Sequence, residues 1–170
     1  MVHVFSDVEG LRIAMEMERR GEDFYRRAAR VSKSQESVAL LNALAADERL
    51  HCQEFTRLHN LACERRGGSV EAYDDETNAY LSAIAADVVF SGGLMALRQV
   101  GFENPKAVLM NAIASEKDSI LFYTELAAHA HDEEARATFM EITRQERGHL
   151  ARLLNRLAAL EKSEEKNEEE

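Results

Sequence analysis

Two Glu-x-x-His steps, Glu48 to His51 and Glu146 to His149, stand 98 residues apart, and the chain around them repeats at that offset. Glu18 maps onto Glu116, Phe24 onto Phe122 and Tyr25 onto Tyr123. On a helix, side chains three apart share a face, so each Glu–His pair can reach one ion. Glu18 and Glu116 bring the set to four carboxylates and two imidazoles. Oxygen and imidazole donors suit iron or manganese, whereas a cysteine-rich set would suit zinc or an iron–sulfur cluster.

Charge argues for a cation among these groups. Two ionised carboxylates 4 Å apart repel by roughly 4 kcal/mol at an effective dielectric near 20. Four of them in a helical core are unfavourable unless several take up protons or two divalent ions cancel them. Taken singly, each residue reads as a solvated glutamate or a half-buried histidine; taken as a register-matched set, the six read as one site. Tyr25 and Tyr123 lie two helical turns after Glu18 and Glu116, and each phenol is expected to donate to a metal-bound carboxylate and orient it. The competing reading is a pair of core aromatics. His59 shares a face with His51, but its counterpart is Leu157, so the repeat does not support it as a ligand. His129 and His131 read as solvated, and Met15, Met17, Met110 and Met140 as core filling.

Four long helices must position this set. Ser6 and Glu9 form a capping box that opens the first, over about Asp7 to Val31, with Leu11, Ala14, Phe24, Tyr25 and Ala28 on its apolar face. After a polar connection from Ser32, the second runs from about Gln35 to Arg66 and stops at Gly67-Gly68. Asn104-Pro105 is an N-cap and first-turn pair for the third, Pro105 to His129. Asp132 caps the fourth, which reaches about Leu160. Short connections within each half predict two antiparallel hairpins, hence an all-α fold. The crossover between them, about residues 67–104, is expected to be helical over Thr77 to Phe90 and Leu94 to Val100, broken at Ser91-Gly92-Gly93. Its apolar residues are expected to cap the bundle, bury against a second copy, or pack on their own chain.

A chain of 170 residues fits one domain, here residues 1–160, with an acidic tail, 161–170, expected to be disordered. The net charge of −10 argues against nucleic acid and anionic membranes as partners. No secretion signal or membrane-length apolar run is evident, so the expected compartment is the cytoplasm. Cys52 and Cys63, about 16 Å apart along one helix, cannot bridge and read as buried thiols.

The stretches Glu18 with Phe24-Tyr25, Asp47-Glu48-Arg49-Leu50-His51, Glu116 through Tyr123 and Gln145-Glu146-Arg147-Gly148-His149 resemble the rubrerythrin-like branch of the ferritin-like superfamily, over about residues 7–160. The resemblance implies a ferritin-like four-helix bundle with a long crossover, a di-iron centre (two iron ions, or manganese in their place) and a homodimer. Two departures stand out. No paired Cys-x-x-Cys motifs supply a rubredoxin-like module, and the third helix offers Ile113, Ser119 and Ile120 where rubrerythrins place an additional carboxylate. The leading expectation is an oxidoreductase of the peroxidase or ferroxidase type. It would reduce hydrogen peroxide or dioxygen with electrons from a separate donor protein. An iron-handling protein without reductive turnover and a metal-free helical interaction module are the alternatives.

Overall fold

The computed structural model describes residues 5–66, 72–85, 102 and 104–168, and among them every regular element is a helix. These are α1 (Asp7–Val31), α2 (Gln35–Arg66), α3 (Asp75–Ala85), α4 (Pro105–His129) and α5 (Glu133–Glu168). The helix starts are set by side chains that satisfy otherwise orphaned amides. Ser6 accepts from Glu9, Ser34 from Ser37, Asn104 from Ala107 and Asp132 from Ala135. Each such cap contributes about 1 kcal/mol.

Helix α1 lies along α2 and α4 along α5; the hairpins then meet through α1 against α4 and α2 against α5. The seam holds Phe5, Leu11, Leu44, Phe55, Phe122, Leu126, Phe139 and Leu153, all essentially inaccessible. Each such side chain stabilises the fold by about 1.5–3 kcal/mol through apolar burial. Phe55, Tyr123 and Phe139 form an aromatic layer with centroids 5.3–6.3 Å apart, which closes one side of the bundle interior.

A clamp fixes the end where the crossover begins. The buried Asp7 carboxylate accepts from the Tyr73 hydroxyl (2.7 Å) and from the backbone amides of His131 (3.1 Å) and Asp132 (2.8 Å). Asn78 accepts from the Phe5 amide and donates to the Tyr73 carbonyl. One carboxylate thus ties the start of α1, the crossover and the turn into α5. His129, expected in solvent, is drawn into this corner: Thr77 Oγ1 lies 3.3 Å from its Nδ1 and Glu125 lies 3.1 Å from its Nε2. His131 is exposed, as expected.

Other expectations are corrected. Met17 is buried and Met15 partly so, but Met110 and Met140 are exposed, because Leu109, Ala112 and Glu116, and Phe139, Thr143 and Glu146, define the inner faces of α4 and α5. Cys63 is exposed and Cys52 only half-buried; both are free thiols. The last turns of α2 are half-buried or exposed beyond Leu58. The acidic tail is helical through Glu168. Glu and Lys propagate helix well, no Gly or Pro interrupts them, and Lys106 pairs with Glu161 at 2.7 Å. In the crossover, Leu81 is buried and Tyr80 exposed. The expected Gly67-Gly68 stop, the break at Ser91-Gly92-Gly93 and the second crossover helix lie outside the described residues.

Two helical glycines predict opposite effects. A Cβ at Gly10 would sit 2.7 Å from Cδ2 and 3.3 Å from Cδ1 of Leu126, which is fully buried, so the leucine would have to shift within the packed core. Gly10→Ala is expected to cost about 1–3 kcal/mol by overpacking, more than the ~1 kcal/mol gained in helix propensity. A Cβ at Gly148 meets nothing within 4 Å, so Gly148→Ala is expected to stabilise by about 0.5–1 kcal/mol. Urea melts of the two variants check the signs.

Candidate metal centre

Each donor arises from the inner face of its helix. Glu18 continues the buried run Ala14, Met17, Gly21, Tyr25; Glu48 and His51 sit between Leu44 and Phe55; Glu116 follows Ala112 and Ile113; Glu146 and His149 lie between Ile142 and Leu153. All six are 1–5% exposed, and no Lys or Arg is buried among the described residues. Compensation must come from protons or from an ion.

The structure brings the six together as two overlapping groups whose candidate ligand atoms all lie within 4.8 Å of one another. One is Glu18, Glu48, His51 and Glu146; the other is Glu116, Glu146, His149 and Glu48. Glu48 and Glu146 are shared. Each hairpin therefore builds one position from its own terminal Glu and His, and lends its second Glu to the other. The imidazole rings stack with centroids 5.6 Å apart.

The hydrogen-bond directions fix what the imidazoles present inward. Gln145 donates its amide N–H to Glu141 (2.9 Å), which leaves its oxygen to accept from His51 Nε2 (2.9 Å). His149 Nε2 lies 3.2 Å from Asp47 Oδ2, a carboxylate that can only accept. Both outer nitrogens therefore carry hydrogen, and the neutral rings aim Nδ1 lone pairs at the carboxylates. His51 Nδ1 is 2.9 Å from Glu146 and 3.4 Å from Glu18; His149 Nδ1 is 2.8 Å from Glu146, 3.3 Å from Glu48 and 3.6 Å from Glu116. Lone pairs confront lone pairs. Glu18 Oε2, both Glu146 oxygens and both Nδ1 atoms are buried without a hydrogen-bond partner. Only a proton on each ring or a cation between the groups turns these contacts attractive, so the donor set fits a pair of metal ions.

The phenols act across the hairpins. Tyr25 donates to Glu116 and Tyr123 donates to Glu18, the latter at 2.5 Å. Same-face spacing places each tyrosine beside the carboxylate of its own helix, but its partner is the equivalent one on the opposite hairpin. Burial first, then the neighbouring carboxylates, push both phenols well above their usual range, so they remain donors. Asp47 and Gln145 open the two Glu-x-x-His stretches and share the 98-residue offset, but nothing in the sequence gives them a role; they hold the outer edges of both imidazoles.

In the metal-free state protons are divided unevenly. Burial, then the charges of Glu18 and Glu146, push Glu48 well above the carboxylate range. Burial raises Glu116 to about 8 against the opposing pull of His149. Burial also works against Glu146, but once a proton sits on each Nδ1, His149 and His51 become donors to it, outweigh burial and hold that carboxyl well below its usual value. Burial would lower both histidines; hydrogen bonds to Glu146 and Glu18 raise His51 to about 11, and those to Glu116 and Glu146 raise His149 to about 9.

A folded pKa above the unfolded one gives stability that is complete below the unfolded pKa and lost as pH rises through the folded one. For Glu116 that loss spans about 4.5 to 8, for His149 about 6.5 to 9 and for His51 about 6.5 to 11. The metal-free protein is thus expected to lose stability steadily above pH 5. Ligation must displace these protons. Calorimetric titration at pH 7 with a divalent ion, in buffers of different ionisation heat, is expected to show release of at least one proton per chain. Buffer-independent heats would contradict this charge distribution.

The comparisons agree with this geometry. The Rubrerythrin family model matches residues 107–170, the segment that carries Glu116, Glu146 and His149. A crystal structure from Thermotoga maritima, described as a ferritin-like diiron-carboxylate protein, is similar with a TM-score of 0.68 and 28% identity, over 92% of this chain and 97% of that one. No curated protein matches the chain.

Proposed function

We propose that this chain, a rubrerythrin-like protein of the ferritin-like superfamily, holds two iron ions and uses them to reduce hydrogen peroxide or dioxygen with electrons drawn from a separate donor protein. The observation that carries this reading is the pair of buried donor groups joined through Glu48 and Glu146. Glu18 and His51 would complete one position, and Glu116 and His149 the other. Two ferrous ions supply two electrons, the number that converts one peroxide and two protons to two waters.

The chain's own groups suit that task. Tyr123 and Tyr25 hold one oxygen of each terminal carboxylate, orienting the other toward the site. The Phe55–Tyr123–Phe139 layer keeps bulk water from one side. On another side, a groove of about 510 Å³ between α2 and α5, lined by Leu50, Arg57 and Ile142 among others, reaches His51 and Gln145, and a small oxidant would approach the site from there. Among the described residues no helix is long and apolar enough to cross a membrane.

The test is anaerobic loading with ferrous iron followed by one equivalent of peroxide, with remaining ferrous iron read by a colorimetric chelator. Loss of two ferrous ions per peroxide, faster than for free ferrous ion in the same buffer, is expected. Oxidation no faster than in buffer alone would rule the redox reading out while leaving metal binding intact.

A further inference from the structure

The duplication that builds the site is broken just outside it. Asp47 and Gln145 are equivalent under the 98-residue offset, and each bonds the outer nitrogen of the other hairpin's histidine. One histidine therefore leans on a carboxylate and the other on an amide oxygen. A carboxylate behind a ligating imidazole makes it a stronger donor to metal, whereas an amide orients the ring without adding charge. The difference is not cancelled by surroundings. Asp47 Oδ2 also accepts from Arg152 at 3.1 Å, but both side chains are about two-fifths exposed, so solvent screens that ion pair, while the contact of Asp47 with His149 Nε2 is a direct one at 3.2 Å. Gln145 is locked in its neutral role because its amide nitrogen is spent on Glu141, itself held by Arg144.

The geometry points to Asp47 and Gln145 as positioning residues that make the two metal positions unequal, the one served by His149 and Glu116 binding its ion more tightly than the one served by His51 and Glu18. This rests on the two-metal reading above and adds an order to it. The His149 position fills first and the His51 position exchanges its ion more readily. The readily exchanged ion is also the one beside the groove, since His51 and Gln145 line that groove.

The experiment is anaerobic titration of the metal-free protein with cobalt(II), followed by calorimetry and visible absorption. Two identical linked positions would also give two steps, for statistical and electrostatic reasons, so the informative quantity is how each step moves on substitution. Asp47→Asn keeps an oxygen where Oδ2 now accepts from both His149 and Arg152, and removes only the charge. It is expected to weaken the tight step about 10-fold or more, the scale on which such outer partners act, and to leave the weak step within about twofold. Gln145→Glu alone would set a carboxylate against Glu141, so it is combined with Glu141→Gln. That pair is expected to tighten the weak step about 10-fold and leave the tight one in place.

Thermal melts of the metal-free variants separate these effects from damage to the fold. Should Asp47→Asn leave the ratio of the two steps unchanged, or should both changes weaken binding alike, the two residues only orient their rings and the inequality is wrong. Should the unmodified protein take up fewer than two cobalt ions per chain, the two-metal reading itself falls, and the inequality with it.

Discussion

Replacing Glu146 with glutamine is expected to empty both metal positions and also to destabilise the metal-free protein, whereas Glu48→Gln is expected to do only the first. Both carboxylates belong to both donor groups, so either change removes a charged oxygen donor from each position at once. Uptake should fall from two ions per chain to none under conditions that load the unmodified protein, with any remaining affinity at least about 100-fold weaker. The contrast lies in the metal-free state. Glu146 is the counter-charge of two imidazoles, 2.9 Å from one and 2.8 Å from the other, and they keep it ionised. Removing one member of a buried ion pair leaves the partner uncompensated and costs about 3–5 kcal/mol. Glu48 is instead pushed toward its neutral form by burial and by neighbouring carboxylates, so an amide of the same shape replaces a group whose charge the core already disfavours. Denaturant melts of the two variants in chelator, beside their metal stoichiometries, check both halves. Equal destabilisation by Glu146→Gln and Glu48→Gln would show that the charge is shared between them rather than held by Glu146.

The buried cluster of four glutamates and two histidines was legible in the sequence because duplication turns six individually weak residues into pairs that must keep register. The helix starts were legible because Ser6, Asn104-Pro105 and Asp132 are local devices whose partners lie three residues away. What the sequence hid depends on contacts between distant segments. Spacing places Tyr25 on the face of Glu18, but not which helix lies opposite, so its bond to Glu116 could only emerge from the way the hairpins cross. Asp7 reads as a first-turn acid on a helix dipole; its burial depends on Tyr73 and on the amides of His131 and Asp132, more than 60 and more than 120 residues away. Met110 and Met140 look like core by type, and only the inner faces set by Glu116 and Glu146 turn them outward. The helix through the tail depends on what precedes it rather than on its own composition. The tail has no apolar residue to pack, but α5 already supplies a nucleated helix on which Glu and Lys continue at little cost.

Stripping the metal is expected to have the largest effect on stability, and an effect that grows with pH. An ion bound only by the folded chain stabilises it by about 4 kcal/mol per position when free metal is a thousandfold above its dissociation constant. For a chain of this length each kcal/mol moves the melting midpoint by about 2–4 °C. Two filled positions therefore correspond to a difference of more than about 15 °C between loaded and chelator-treated protein at pH 8. The metal-free form falls as pH rises, because the protons that stabilise Glu116 and His149 leave between about 5 and 9. The loaded form gains over the same interval, because its ligands must be deprotonated before they coordinate. At pH 5 protons compete with metal for the same oxygens and nitrogens, and the gap should shrink to a few degrees. Calorimetric scans at pH 5 and pH 8, with and without chelator, read both terms. A gap of only a few degrees at pH 8, or one that narrows as pH rises, would mean that protons rather than metal ions are the stable occupants of this core, and the chain would then be a helical bundle that carries its glutamates without using them.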